Sequence, residues 1–132
     1  MNSAAILARG IAQTYGRGAE RVQALRRTDL RVERGEFLVV AGPSGSGKST
    51  LLAIVSGLLT PSEGEIAVLG QDLRSMSRDQ FDRFRLEHFG FVFQGFHLLP
   101  ALTAVEQVRI VLERQGLRRE MATRRATACL ER

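Results

Sequence analysis

Residues 42–50 read Gly42-Pro43-Ser44-Gly45-Ser46-Gly47-Lys48-Ser49-Thr50. A glycine, four residues and then Gly-Lys-Ser match the template of the phosphate-binding P-loop. Glycine lacks a Cβ, so this backbone can turn its N–H groups inward, towards phosphate oxygens. Lys48 would add a charge that reaches the β and γ phosphates, and the Ser49 hydroxyl is placed to ligate Mg²⁺. We therefore predict that all nine residues belong to a binding site for a triphosphate and its metal ion.

The residues on either side of this loop favour the same interpretation. A P-loop follows a buried strand and opens a helix. The run Phe37-Leu38-Val39-Val40-Ala41 is continuously apolar, which is typical of a parallel strand covered on both faces. Leu51-Leu52-Ala53-Ile54-Val55-Ser56 predicts a buried helix that Gly57 closes. The alternative, a flexible turn rich in Gly and Ser, does not account for these neighbours.

Composition limits the class of protein. The 132 residues suffice for one modest domain, and no apolar run approaches the roughly 20 residues that cross a bilayer. The net charge is +5, but the arginines are interleaved with 14 acidic residues, and the only lysine is Lys48. This pattern favours solvated faces and a subunit interface, so no specific nucleic-acid partner is predicted. Cys129 is the single cysteine, which excludes an internal disulfide. His88 and His97 are not spaced as a metal pair, and we interpret both as structural or surface residues.

The remaining elements predict an α/β fold. Residues 6–15 and 22–32 alternate in polarity, which indicates two antiparallel strands with one wet face. Further strands are predicted at residues 66–69 and 89–93, and a last helix at residues 118–132. Two capping boxes, Ser77 with Gln80 and Thr103 with Glu106, predict helix starts, the second helix running to about Arg114 with Val105, Val108 and either Val111 or Leu112 inward.

In order along the chain, these motifs resemble the nucleotide-binding subunit of ABC transporters, and the resemblance covers nearly all of residues 1–132. Besides the P-loop it is carried by Tyr15, Val22-Gln23-Ala24-Leu25, Arg34-Gly35-Glu36, the turn at residues 57–64, Gly90-Phe91-Val92-Phe93-Gln94 and Leu98-Leu99-Pro100. Residues 91–108 look most like the exporters of the lipoprotein-releasing, macrolide-export and cell-division type. The resemblance implies a P-loop NTPase fold, a parallel-sheet core with a flanking antiparallel β-subdomain. It divides the chain into a β-subdomain at about 4–36, a P-loop core at about 37–70, and a Q-loop with the start of a helical subdomain at about 89–132.

The resemblance also implies roles for single residues, with ATP and Mg²⁺ as the cofactors. Tyr15 would stack on the adenine, although a tyrosine packed on the core at a strand end is the alternative. Val22 would lie beside the ribose and base, or serve as a core valine. Lys48 and Gln94 would be the catalytic residues. The Gln94 amide would coordinate Mg²⁺ or the attacking water, or it would simply face solvent.

The implied partners are a second nucleotide-binding subunit, forming a dimer, and a membrane-spanning permease subunit. Phe96, Leu98 and Leu99 are unusually apolar for a loop and would form the groove that receives the permease. Burial under the neighbouring helix is the other account of these three side chains. The location implied is cytoplasmic and peripheral, on the inner face of the cell membrane.

The sequence also departs from the family pattern. No Leu-Ser-Gly-Gly-Gln signature, no apolar strand ending in Asp-Glu (the Walker B strand) and no switch histidine follow before Arg132. We therefore expect an N-terminal half-domain, truncated before these motifs, that binds ATP weakly and hydrolyses it poorly or not at all. Two alternatives stay open: another P-loop enzyme such as a small-molecule kinase, and an inert half-domain that acts only as a binding module.

Overall fold

The computed structural model describes residues 4–95 and 97–131 and divides the chain into two compact units, one up to Asp82 and one from Arg83 onward. The elements, in chain order, are β1 (Ala4–Tyr15), a short 3-10 turn (Gly18–Glu20), β2 (Val22–Glu33), α1 (Lys48–Val55), β3 (Glu63–Val68), β4 (Gln71–Asp72), α2 (Arg78–His88), α3 (Ala104–Arg114) and α4 (Arg119–Leu130).

A four-stranded sheet forms the body of the first unit. Its strand order is β2-β1-β3-β4, and every neighbouring pair is antiparallel. The two antiparallel strands predicted at the start of the chain are thus confirmed. Helix α1 contacts β1 and β2 and buries Leu51, Ile54 and Val55. The buried apolar side chains of the sheet include Ala8, Ile11, Leu25, Val32, Ile66 and Val68.

Gly57 ends the P-loop helix, as predicted. Its φ is 68°, and its N–H donates to the carbonyl of Ile54 at 3.0 Å. The Leu58 N–H donates to the carbonyl of Ala53 at 2.8 Å. These two bonds form a Schellman motif, which satisfies carbonyls that lack a partner in the last turn of a helix.

The predictions of strands at residues 37–41 and 89–93 were wrong: in the described part of the chain neither segment forms a strand. Phe37 is 90% exposed and Val92 is 97% exposed. A parallel strand is held by ladder bonds to neighbouring strands. In the described part of the chain, the sheet consists of β2, β1, β3 and β4, and neither segment pairs with any of these strands.

Helices form the second unit, in which α3 packs against α4. Ala122 and Ala126 of α4 are fully buried, and their small side chains suit close helix contact. Leu112 of α3 is partly buried whereas Val111 is 49% exposed, so Leu112 is the inward residue of that pair. Both predicted capping boxes are present, at the start of α2 in the first unit and at the start of α3 here.

Candidate functional site

The predicted P-loop leads directly into α1. Gly47 is the N-cap residue, and no side chain caps the helix there. The first amides of a helix have no acceptor within it, and they lie at the positive end of its dipole. The N–H groups of Lys48, Ser49 and Thr50 can therefore donate to an anion in front of the helix.

Gly47 also fixes the position of the loop against the sheet. Its φ is 91°, and a Cβ at this residue would lie 2.6 Å from the carbonyl oxygen of Ala24 and 3.2 Å from the Leu25 side chain. Both contacts are in β2, so only a residue without a side chain lets the loop approach this strand so closely. The first turn of α1 is thereby set against the beginning of β2.

The Lys48 ammonium lies within the curve of the loop. It donates to the carbonyl of Gly42 at 2.9 Å, to the carbonyl of Pro43 at 2.6 Å and to the Ser46 hydroxyl at 3.3 Å. An ammonium carries three donors, and these acceptors match all of them. The loop thus encloses the only lysine charge of the chain.

Tyr15 and Val22 lie side by side at the end of the hairpin. They are direct partners between β1 and β2, and they are 48% and 62% exposed. Directly opposite residues present their side chains on the same face of a sheet. The alternative interpretations placed both side chains in the core, and this exposure contradicts them. Val22 lies two residues from Ala24, about 7 Å by strand rise, so this apolar pair and the loop belong to the same region of the first unit.

Gln94 and the apolar loop residues belong to the second unit. Gln94 is exposed, in a bend between Phe93 and Gly95. Leu98 and Leu99 are 64% and 52% exposed, so they are not buried under a helix, and Phe96 lies outside the described residues.

Gln107 holds the loop at Leu98 and Leu99, a role that the sequence pattern did not predict. The Gln107 amide of α3 accepts from the Leu99 N–H at 3.2 Å and donates to the Leu99 carbonyl at 2.6 Å. The available signal was a glutamine between Val105 and Val108, on the inward stripe of α3. Gln107 fixes the backbone while the Leu98 and Leu99 side chains stay exposed.

The donor set can be tested against Mg²⁺. No group of three or more His, Cys, Asp or Glu residues that could hold a metal gathers in residues 4–95 and 97–131. Mg²⁺ is usually held by one or two protein oxygens together with water and the phosphates of a nucleotide. Ser49, exposed in the first turn of α1, fits that arrangement.

A loop with the pattern Gly, four residues and Gly-Lys-Ser that leads into a helix is the motif of P-loop nucleotide-binding proteins. The sequence profile of the ABC transporter family matches residues 25–132, and the chain belongs to this family.

Two relatives and two solved structures illustrate the match. The hemin import ATP-binding protein HrtA of Staphylococcus haemolyticus is 42% identical to this chain. The match covers 91% of this chain and 54% of the length of HrtA. The macrolide export ATP-binding/permease protein MacB of Rhodopseudomonas palustris is 42% identical over 100% of this chain and 20% of its own. The ATP-binding cassette MJ0796, solved as a dimer bound to ADP and Pi, has a TM-score of 0.87 and 36% identity. A second dimeric structure of that cassette has the same TM-score and 37% identity.

These structural matches confirm the predicted α/β class and its P-loop NTPase fold. They cover 96% of this chain and 56% of the cassette, so the chain spans about half of the cassettes that it matches. Within the described residues, no helix is both long enough and apolar enough to cross a membrane.

Proposed function

We propose that this chain binds ATP with Mg²⁺ through residues 42–50 and serves as the ATP-binding part of an ABC transporter. The arrangement of the first unit supports the proposal most directly. An uncapped helix start, the enclosed Lys48 ammonium and the exposed pair of Tyr15 and Val22 lie in one region. Anionic phosphates and a flat base would each find a matching surface there.

Each residue in this proposal has a distinct part. The backbone N–H groups of Gly42 and of residues 44–50 would donate to phosphate oxygens, and Lys48 would exchange loop carbonyls for the β and γ phosphates. Ser49 would ligate Mg²⁺. Tyr15 would stack on the adenine, with Val22 beside the ribose. For Gln94 we keep the role implied by the family resemblance, contact with Mg²⁺ or the attacking water.

The partners of this chain are also part of the proposal. MacB is named as an ATP-binding/permease protein, and MJ0796 was solved as a dimer. We expect this chain to pair with a second nucleotide-binding subunit and to contact a membrane-spanning permease through the region of Phe96, Leu98 and Leu99. That contact would hold it at the inner, cytoplasmic face of the membrane. The three segments that the resemblance outlines, at about 4–36, 37–70 and 89–132, remain part of this proposal.

In the whole transporter, ATP binding and hydrolysis would drive movement of a substrate through the permease. The 132 residues contain no Asp-Glu pair at the end of an apolar strand and no signature sequence. A general base for water is therefore expected to be missing from this chain alone. We propose that the chain by itself binds ATP and hydrolyses it poorly or not at all.

Removal of the loop charge tests the proposal. Lys48→Ala should weaken binding of Mg-ATP at least about tenfold, since charge-assisted hydrogen bonds contribute about 1.5–3 kcal/mol. The measurement is displacement of a fluorescent ATP analogue from the 132-residue chain. Arg125→Ala, at an exposed position of α4, removes the same charge and should leave the affinity unchanged. Equal affinities for the wild type and Lys48→Ala would refute the assignment of the loop.

A further inference from the structure

Among the described residues, three rings lie close to Gln94 in the sequence. The ring centroids of Phe91 and Phe93 are 4.4 Å apart, and those of Phe93 and His97 are 4.6 Å apart. Both pairs are tilted, an arrangement that aromatic side chains favour over a parallel sandwich. The stack thus joins the residue before Gln94 to a residue three positions after it.

His97 also binds the residue that follows Gln94. Its Nδ1 lies 2.7 Å from the carbonyl oxygen of Gly95. A carbonyl oxygen only accepts, so Nδ1 carries the proton and donates. The imidazole lies directly over Gly95, since a Cβ there would be 3.4 Å from Cε1 and 3.6 Å from Nδ1.

The backbone of His97 is adapted to these contacts. Its φ is 47°, in the left-handed region that residues other than glycine seldom adopt, although His, Asn and Asp do so more often than others. Such a conformation persists where the surroundings determine it. Here the stack on Phe93 and the bond to Gly95 supply that support on both sides of Gln94.

Gln94 itself has no such support. Its side chain is exposed and makes no hydrogen bond to another described residue. Its orientation therefore depends on how the backbone of residues 93–95 is held. We infer that His97 is a positioning residue, which fixes the Gln94 backbone so that its amide is presented for the metal contact. The effect of this positioning on metal binding rests on the proposed function. The contacts that His97 makes with Phe93 and Gly95 do not depend on it.

Nucleotide binding with and without metal tests the inference on the full 132-residue chain. Affinity for ATP is measured in Mg²⁺ and in EDTA for the wild type, Gln94→Ala, His97→Ala and His97→Asn. His97→Ala should lose the Mg²⁺-dependent gain to the same extent as Gln94→Ala, about threefold to tenfold, the range expected for one lost polar contact. Its affinity in EDTA should stay that of the wild type. His97→Asn keeps an N–H donor and tolerates the left-handed backbone, so it should recover part of the gain.

His88→Ala is the matched control, because His88 also stacks on a phenylalanine, Phe84, at 4.6 Å, but ends α2 away from this loop in the sequence. It should keep the full Mg²⁺ gain. The inference is overturned if His97→Ala keeps the gain, or if it lowers affinity equally in EDTA, which would indicate general unfolding. It is also overturned if the wild type binds ATP with no Mg²⁺ gain.

Amide chemical shifts of Gln94 and Gly95 provide a readout that does not depend on nucleotide. They should move in His97→Ala and stay in place in His88→Ala. If the wild type binds no nucleotide but these amides move, the proposed function fails while the positioning by His97 stands. Unchanged amide shifts in His97→Ala would overturn the positioning itself.

Discussion

Tyr15 ends β1 with 48% of its surface exposed, beside Val22 on the neighbouring strand. If the ring covers the adenine, its removal should affect ligands that carry a base and spare those that do not. We expect Tyr15→Ala to weaken ATP binding about tenfold, within the range known for base–aromatic stacking. Affinity for inorganic triphosphate should not change. Competition of both ligands against a fluorescent nucleotide measures the two effects.

Tyr15→Phe is the matched control, because it keeps the ring and should keep the affinity for ATP. Equal losses for ATP and triphosphate in Tyr15→Ala would mean that the hairpin had lost its structure. An unchanged affinity for ATP would mean that the ring does not contact the base.

Replacement of Gly47 should destabilise the first unit where the loop meets β2. Gly47→Ala places a Cβ 2.6 Å from the Ala24 carbonyl in a backbone with φ of 91°. We expect a loss of about 2–3 kcal/mol in the free energy of unfolding, because the left-handed backbone costs about 1–2 kcal/mol and the clash adds to it. Urea unfolding followed by far-UV circular dichroism measures the change.

Gly45→Ala separates the two causes of that loss. Gly45 has a φ of 79°, but a Cβ there would meet no atom within 4 Å. The Gly45 variant should therefore lose only the backbone contribution. If both variants lose the same stability, the approach to Ala24 does not matter.

Among the helices and strands, the sequence predicted best the features that residues close in sequence determine. The capping box at Thr103 and the helix end at Gly57 each depend on residues within four or five positions, and both are present. The apolar run at residues 37–41 was interpreted as a strand, but a strand depends on partners distant in sequence. Apolar residues report what a segment can bury and not whether a neighbour is present, so this prediction was wrong.

The cap of α3 should make its stability depend on pH. The Glu106 carboxylate accepts from the Thr103 N–H at 3.0 Å and from the Thr103 hydroxyl at 2.9 Å. The backbone bond is the main cause that lowers the pKa of Glu106, and the hydroxyl and Arg109 act in the same direction. A carboxyl whose pKa is lowered by folding stabilises the native state above its unfolded pKa. This contribution is lost as the pH falls through the lower, folded value.

The corresponding experiment compares the wild type with Glu106→Gln across acidic pH. The wild type should be the more stable protein at neutral pH, and its advantage should shrink as the pH falls below the ordinary value for glutamate. Stability is followed by urea unfolding of the helical circular dichroism signal at each pH. A difference that does not vary with pH would show that the carboxylate is not part of the cap in solution.

The separate parts of the candidate site were predictable from the sequence. The sequence identified the loop at residues 42–50, and the family resemblance pointed to Tyr15 and Val22. The sequence pattern did not predict that the loop lies close to Tyr15 and Val22. That arrangement depends on the contact of Gly47 with Ala24, which are far apart in the chain. Gln107 was missed for the same reason, since its partner Leu99 is eight residues away in a loop.

The two apolar segments that form no strand govern how the whole chain should behave in solution. Phe37 and Val39 are 90% and 67% exposed, and Val92 is 97% exposed. Exposed apolar runs favour association with another chain. We expect the 132-residue chain to self-associate as its concentration rises, and Val39→Lys combined with Val92→Lys to reduce this, as measured by multi-angle light scattering. Leu130→Lys is the control, because Leu130 is 49% exposed but lies in helix α4 and not in either of these segments. Equal suppression by the control would assign the association to surface hydrophobicity in general, and suppression by the double variant alone would assign it to these segments.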